Sequence, residues 1–203
     1  MKPKMMILGV FFSLVTVFAI VVIVKSKSQP AAIEKKQRQA ALASKKKGKP
    51  NFLGLGLRVG LDKTGEILRV TGKDTVRGQS VIQTSRTSKE VFEWIVTQEP
   101  QKLHFEIVYM NEDDTALLKQ LPDLEEITFI NTNVGERTIQ HLSKIKSLKR
   151  ISIQNGNITD QSIFIFAQMP GLEFLTLERN RFLPMAVGRL LRKLLPEAKV
   201  EVT

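Results

Sequence analysis

The two histidines, His104 and His141, are the residues of this 203-residue chain that suit general-base catalysis or zinc binding best. Either chemistry needs convergent groups: a nucleophile beside an oriented base, or three to four metal ligands. Neither histidine has such a partner at motif spacing. His104 lies between Leu103 and Phe105 in an alternating segment, and His141 precedes Leu142 in a helical one. Both are expected to be satisfied surface histidines, so no catalytic residue is predicted.

Other potential chemistry is also weak. The chain has no cysteine, which excludes disulfides, thiolate metal sites and cysteine nucleophiles. The acidic triplet 112–114 lacks the alternating ligands and turn glycine of a calcium loop, and it suits a helix N-terminus better. The glycines at 54 and 56 lie in an alternating segment without the Gly-Lys-Ser/Thr ending of a phosphate loop. We therefore expect no metal, no cofactor and no small-molecule substrate.

The net charge of +11 is concentrated at the N-terminus. Residues 1–50 hold 11 basic residues and one acidic residue, whereas residues 51–203 hold 20 basic and 19 acidic residues. A nucleic-acid-binding domain would carry a basic face on its folded part, and a single-strand binder would interleave aromatic residues with the cations. Neither pattern is present, so no nucleic-acid partner is expected.

Residues 5–24 are predicted to form a transmembrane helix. This run of 20 residues has no charge and only one serine and one threonine as polar side chains. As a helix it would span about 30 Å, the thickness of a bilayer core. The alternatives are a cleaved secretory signal and a buried core helix. A signal has a shorter apolar stretch followed closely by a small-x-small site, whereas the nearest Ala-x-Ala here is at 41–43.

Residues 25–50 have the composition of a disordered or partly helical linker. They hold nine basic residues, one acid and only two sizeable apolar residues, Ile33 and Leu42. Such a juxtamembrane segment is attracted to anionic lipid headgroups. Its cations outnumber Lys2 and Lys4 before the span, so the positive-inside rule favours a cytoplasmic domain. An uncleaved signal anchor would instead export it.

A 24-residue repeat organises residues 100–203, with units that begin at Pro100, Leu124, Leu148 and Leu172. Each unit has an apolar pair three and five positions after its start, the alternation of a half-buried strand. The pairs are Leu103/Phe105, Ile127/Phe129, Ile151/Ile153 and Leu175/Leu177. One unit cannot bury its own apolar face, so stacked units are needed.

Later positions of each unit form the apolar stripe of a short helix. The stripe recurs ten, fifteen, eighteen and twenty-one positions after the start, with Thr115 as an exception and with the pattern degrading at Lys193. The eighteenth position holds Leu118, Leu142, Phe166 and Leu190, and the tenth holds Met110, Val134, Ile158 and Phe182. The segment Ala198–Val202 is expected to add a last strand at the edge of the sheet.

This pattern of apolar strand, polar turn and short helix resembles the leucine-rich repeat family, in particular bacterial forms with 24-residue units. The Thr-Asp helix start of such units is intact in Asn157-Ile158-Thr159-Asp160. The resemblance implies an α/β solenoid with a parallel sheet on a concave side and short helices on the convex side. It covers residues 100–203, and a short, slightly irregular arc is expected.

Residues 51–99 are predicted to cap the N-terminal end of the solenoid. Alternating leucines at 53–61, a turn at 62–65 and the apolar segment 67–70 indicate a β-hairpin. Glycines at 54, 56 and 60 on its opposite face suggest a close approach of another backbone. The segment 88–97 is predicted to be a helix that leads into the first repeat.

The strand residues between the inward pairs define the candidate binding face: Lys102, His104, Glu106, Glu126, Thr128, Ile130, Arg150, Ser152, Gln154, Phe174, Thr176 and Glu178. Mixed charges around apolar side chains suit a protein partner, and the resemblance implies protein binding there. We therefore expect a single-pass membrane protein that acts as a non-enzymatic interaction module. The alternatives are a structural or envelope-associated protein without a specific ligand, and an enzyme that uses scattered Ser, Asp and His.

Overall fold

The computed structural model describes residues 48–77, 80–83, 85–169, 171–180 and 186–203. The chain divides into two compact units, 1–47 and 48–203. The predicted transmembrane helix 5–24 and the linker up to residue 47 lie outside the described residues. Among the residues that are described, no helix is both long enough and apolar enough to cross a bilayer.

Nine strands are described, and seven of them share one sheet in the order β1-β2-β5-β6-β7-β8-β9. The strands are β1 Leu57–Leu61, β2 Ile67–Gly72, β3 Asp74–Arg77, β4 Ser80–Gln83, β5 Lys102–Glu106, β6 Glu126–Ile130, β7 Arg150–Gln154, β8 Phe174–Glu178 and β9 Lys199–Val202. β1 pairs antiparallel with β2, and every later pair in this sheet is parallel. β3 and β4 form a separate antiparallel pair.

Helical segments connect the parallel strands. They are α1 Lys89–Gln98, a 3₁₀ helix Asp114–Gln120, α2 Glu136–Leu142, α3 Gln161–Phe166 and α4 Val187–Leu194. Asp160 caps the start of α3 by accepting a hydrogen bond from the backbone N–H of Gln161, as the Thr-Asp start predicts. The chain is thus an α/β protein with a mostly parallel sheet, which confirms the fold class at that level.

The strand register reproduces the period of the sequence repeat. Leu103 pairs with Ile127, Ile127 with Ile151, and Ile151 with Leu175, each across a parallel ladder. Hydrogen bonds at the starts of the strands repeat with the same period. The backbone N–H groups of Glu126 and Arg150 donate to the carbonyls of Gln101 and Glu125. The predicted parallel pairing of these four strands is confirmed.

The apolar face of the sheet is buried against the helical row. The predicted inward residues Ile151 and Leu175 are 1% and 0% exposed, so the predicted strand phase is correct. Phe105 and Phe129 occupy equivalent positions and stack with ring centroids 5.5 Å apart. Burial of large side chains of this kind stabilises a fold by about 1.5–3 kcal/mol each.

The last unit departs from the predicted spacing. Leu118, Leu142 and Phe166 are fully buried, but the equivalent Leu190 is 40% exposed and Leu191 is buried in its place. The prediction for Leu190 was therefore wrong. Leu175 pairs with Val200 rather than with the residue at 199 that the repeat would place there, so the unit is longer by one position. Val187 is still buried as predicted, and the shift is seen at Leu191. Phe182, also predicted to face inward, lies outside the described residues.

The N-terminal hairpin is shorter than predicted. β1 begins at Leu57 rather than near Leu53, because residues 52–56 form turns in which Asn51 Oδ1 accepts the Gly54 N–H. Leu53 and Leu61 are 75% and 65% exposed. The close backbone approach that was predicted at glycines 54, 56 and 60 is wrong for Gly54, where a Cβ would meet only the side chain of Asn51, and for Gly60, where it would meet nothing within 4 Å. At Gly56 a Cβ would meet Ser85. The predicted helix 88–97 is confirmed as α1.

One backbone feature recurs after every strand from β5 to β8. The residue that follows each strand has a left-handed conformation with φ between 50° and 56°: Ile107, Asn131, Asn155 and Arg179. Successive members of this set are separated by one full period of the sequence repeat. Asparagine tolerates this conformation better than isoleucine or arginine does. The side chains of Asn155 and Asn131 are also linked by a hydrogen bond of 2.9 Å.

Candidate binding face

The outer face of the seven-stranded sheet carries three rows of side chains that run across the strands, one row for each outward position. The amino-end row is Ile67, Lys102, Glu126, Arg150, Phe174 and Lys199; the middle row is Arg69, His104, Thr128, Ser152, Thr176 and Glu201; the carboxyl-end row is Thr71, Glu106, Ile130, Gln154 and Glu178. The twelve predicted binding residues all lie in these rows. Their neighbours in the strands are buried, so the helices cover one face and leave this one open.

The amino-end row combines cations with an exposed aromatic ring. The guanidinium of Arg150 lies 4.9 Å from the ring centroid of Phe174, which is 39% exposed. Arg150 also lies 3.9 Å from the carboxylate of Glu173, and Lys102 Nζ lies 2.8 Å from Glu66 Oε2. The Glu66 contact raises the pKa of Lys102. This row therefore presents an oriented arginine on a partly exposed aromatic platform.

The middle row places three hydroxyl groups between a basic and an acidic end. Thr128, Ser152 and Thr176 are half-buried and adjacent across the parallel ladders. Arg69 precedes them on β2, and Glu201 follows them on β9, where it pairs with Lys199 at 2.8 Å. Short hydroxyl side chains can donate and accept hydrogen bonds, so this row can bind the polar groups of a ligand laid across the strands.

His104 is more buried than the sequence predicts. Its side chain is only 11% exposed, and its Nε2 atom has no hydrogen-bond partner among the described residues; the nearest carboxylate oxygen, of Glu106, is 3.6 Å away. Burial, together with the charge of Arg69, lowers the pKa of His104, and Glu106 only partly opposes this. The expectation of a satisfied surface histidine was therefore wrong for His104. The Nε2 atom of His104, without a hydrogen-bond partner among the described residues, thus lies at the basic end of the middle row.

The carboxyl-end row is acidic with one apolar group. Glu106 and Glu178 stand near its two ends, with Ile130 and Gln154 between them, and all four are half-buried. Cations are concentrated in the amino-end row, at Lys102, Arg150 and Lys199, so the face is polarised along the strand direction. The face therefore does not present the single-signed stripe that a nucleic acid requires.

Five members of the rows were not predicted as binding residues: Ile67, Arg69 and Thr71 on β2, and Lys199 and Glu201 on β9. β2 was assigned to the cap and β9 to an edge, although β2 pairs with β5 in the same sheet. The signal was available in the alternation of Ile67–Val70 and of Ala198–Val202. The sequence does not give the register of β2 and β9 with their neighbouring strands. Only that register shows that the outward residues of β2 and β9 continue the rows.

The other candidate residues of the sequence serve as contacts between units. Glu112 Oε1 accepts hydrogen bonds from the Gly135 N–H at 2.7 Å and from Thr138 at 3.2 Å, and Asp113 pairs with Arg137 at 2.7 Å. His141 Nδ1 lies 2.9 Å from Thr115 Oγ1. The hydroxyl of Thr115, the exception in the helical stripe, also donates to the Glu112 carbonyl at 2.5 Å, so this inward threonine has two partners.

Convergent catalytic geometry is not found in the part of the chain that is described. No group of three His, Cys, Asp or Glu side chains there could hold a metal ion. A groove of about 700 Å³ lies between the β1–β2 hairpin and the end of α1, where Trp94, Glu66 and Lys102 contribute to its lining. None of its described lining residues is a histidine, serine or aspartate; its carboxylates are those of Glu66 and Glu99.

Comparison of the sequence with protein-family models gives no match, and comparison with curated proteins gives none either. The resemblance to leucine-rich repeats therefore stays a prediction. Its support is the spacing of the sequence together with the register of the strands.

Proposed function

We propose that this chain is a membrane-anchored leucine-rich repeat protein that binds a protein partner through the three rows of its open sheet face and performs no catalysis. The repeat assignment is supported by parallel strands whose register follows the sequence repeat and by the left-handed turn residue after each strand from β5 to β8. Short helical segments between the strands fit the same architecture.

The observation that carries the proposal is the composition of the open face. Protein interfaces bind through a few aromatic or arginine anchors that are surrounded by polar contacts. Here Arg150 and Phe174 form such a pair, and Ile130 adds a second apolar contact. Apart from Ile67, the remaining positions in the rows are polar or charged side chains, which suit the polar surroundings of such an anchor.

The anchor is the predicted span 5–24, and the basic linker that follows it would lie near anionic headgroups. The excess of cations after the span favours a cytoplasmic domain over an exported one. Protease added to intact cells or spheroplasts tests this orientation. Protection of the repeat domain supports the cytoplasmic placement, and digestion without lysis supports export.

A matched pair of substitutions tests the binding face. Phe174→Ser removes the exposed ring from the sheet face, and Phe164→Ser removes a ring that is 62% exposed on α3, away from that face. The tagged full-length variants are purified from solubilised membranes and the amounts of co-purified protein are compared. Phe174→Ser and Arg150→Glu should each lower partner recovery at unchanged melting temperature, whereas Phe164→Ser should not.

The same experiment discriminates against the structural alternative. If neither face variant changes partner recovery or cell phenotype while removal of residues 5–24 abolishes the phenotype, tethering itself is the function. Equal losses for Phe174→Ser and Phe164→Ser would also contradict a specific binding face.

A further inference from the structure

Positive charge within the folded part of the chain is concentrated in one segment. Residues 179–196 contain five basic residues and no acidic residue. The remainder of residues 51–203 contains 15 basic and 19 acidic residues. This segment is thus a basic region in an otherwise acidic domain, and it includes the whole of α4.

The described side chains of α4 divide its open side into two stripes. Leu190 and Leu194 are one helical turn apart, and they are 40% and 37% exposed. Arg189 and Lys193 are also one turn apart and exposed, on the adjoining part of the helix surface. The side of α4 that packs on the domain, through Val187 and Leu191, adjoins the stripe of Leu190 and Leu194 and lies opposite Arg189 and Lys193. An apolar stripe therefore lies directly beside a basic one.

The basic stripe has no structural role in the described part of the fold. Within the described part of the chain, no carboxylate lies within ion-pair distance of Arg189 or Lys193. Only Arg192 has a structural contact, through a hydrogen bond of 3.2 Å from its Nε to the Val200 carbonyl. The equivalent helix α2 lacks the pattern, since its first turn carries the half-buried Glu136 beside the exposed Arg137. The two stripes are therefore available to a partner.

We propose that α4 lies on an anionic lipid surface, with Leu190 and Leu194 inserted at the headgroup boundary and Arg189 and Lys193 paired with lipid phosphates and carboxylates. Basic helices with an exposed apolar stripe bind membranes in this way. The inference rests on the proposed membrane anchor, because the lipid surface is that of the same membrane.

The proposed membrane anchor would make the small contact between α4 and lipid effective. If the predicted linker 25–50 is flexible, its end-to-end distance would be roughly 30 Å, which would keep α4 within reach of the bilayer at a high effective concentration. A stable protein partner would need roughly 800 Å² on each side, which the outer side of so short a helix does not provide by itself. A lipid surface has no such requirement, and its charge is complementary to that of α4.

Single-cysteine labelling tests the proposal, because the natural chain has no cysteine. Full-length Leu190→Cys and Phe164→Cys are each labelled with an environment-sensitive fluorophore and reconstituted into phosphatidylcholine vesicles with or without phosphatidylserine. The label at 190 should shift to the blue and lose quenching by aqueous iodide only when phosphatidylserine is present. The label at 164 should respond equally in both vesicles. High salt, or Arg189→Glu with Lys193→Glu, should reverse the change at 190.

A vesicle flotation assay tests the membrane anchor independently of the lipid contact of α4. If the protein floats with the vesicles but the label at 190 remains as accessible to iodide as the label at 164, the lipid contact of α4 is rejected and the anchor stands. If the protein does not float, the anchor is rejected, and the same label in excess phosphatidylserine vesicles then decides whether α4 alone binds lipid. A shift caused by a lipid-free cytosolic fraction, and not by vesicles, would assign α4 to an acidic protein instead.

Discussion

The interior units of the sheet and its two ends follow different rules. From β5 to β8 each strand follows the last by one full period of the sequence repeat, and the left-handed residues after these strands keep the same spacing. At the start of the sheet an antiparallel hairpin replaces a repeat, and at its end the last unit is longer by one position. A unit with neighbours on both sides must match two registers, whereas an end unit must match only one.

The ends also protect the exposed parts of the sheet. β9 is an edge strand whose outward Lys199 and Glu201 form an ion pair with each other, and charged side chains on an edge discourage further strand pairing. At the other end α1 packs Trp94 against Phe52, with ring centroids 5.1 Å apart. The irregular segments at the two ends of the sheet therefore cover the core where the repeat pattern ends.

The largest expected effect on stability comes from comparing the same repeat position in an interior unit and in the last unit. Leu142→Ala should lower the free energy of unfolding by about 2–5 kcal/mol, because the side chain is fully buried. Leu190→Ala at the equivalent position should change it by only about 0.5 kcal/mol, because Leu190 is 40% exposed. Chemical denaturation of both variants measures the difference. Equal losses would mean that the added position in the last unit does not shift the stripe.

A second matched pair lies in the hairpin. A Cβ on Gly72 would overlap the carbonyl oxygen of Ile107, so Gly72→Ala should destabilise the domain by about 1–3 kcal/mol or more. Gly60→Ala meets open space and should be neutral or stabilising by up to about 1 kcal/mol. Thermal melting compares the two. A neutral Gly72→Ala would show that the hairpin and the first repeat are not in close contact.

A smaller effect is expected at the left-handed residues that follow the strands. Asn155→Ala should lower the free energy of unfolding by about 1–2 kcal/mol, since alanine disfavours this conformation and the bond to Asn131 is lost. Arg179→Asn should raise it by a fraction of that amount, because Arg179 is exposed and asparagine tolerates its φ of 52°. Denaturation midpoints measure both. Destabilisation by Arg179→Asn would contradict the equivalence of the two turns.

The smallest effect is a pH dependence from His104. Its pKa in the folded state is lowered from the ordinary value of 6.5, so the native protein binds a proton less tightly than the unfolded chain does. The free energy of unfolding should therefore fall as pH drops below about 6.5. His104→Gln should reduce that slope between pH 7 and 5, as measured by denaturation at each pH. An unchanged slope would show that Arg69 and burial do not act on this imidazole as described.

Much of the interior was predictable because its signal is local and repeated. Apolar pairs at a constant spacing predicted β5 to β8 and their phase, and the helical stripe predicted α2 and α3. The phase was lost in α4, where Leu191 rather than Leu190 is buried, because a single added position changes no local pattern. Burial of His104 was missed for a related reason: it depends on neighbours in other strands, such as Arg69.

The N-terminal region was harder because alternation alone does not distinguish a strand from a turn. Leu53 continues the alternation of β1, yet a side-chain bond from Asn51 turns the chain there. The pair β3 and β4 was not predicted, although both strands contain β-branched residues. The members of the binding face were predictable from alternation, but their order in rows required the register of the sheet.

Site-specific photo-cross-linking in living cells tests the open sheet face as the binding surface most directly. A photoreactive residue is placed at Thr128 or Thr176 in the middle row, and for comparison at Gln140 on α2 or Phe164 on α3, all in the full-length chain. The account predicts a discrete protein adduct from the two sheet positions and none from the two helix positions. Adducts from the helix positions alone, or equal adducts from all four, would contradict it.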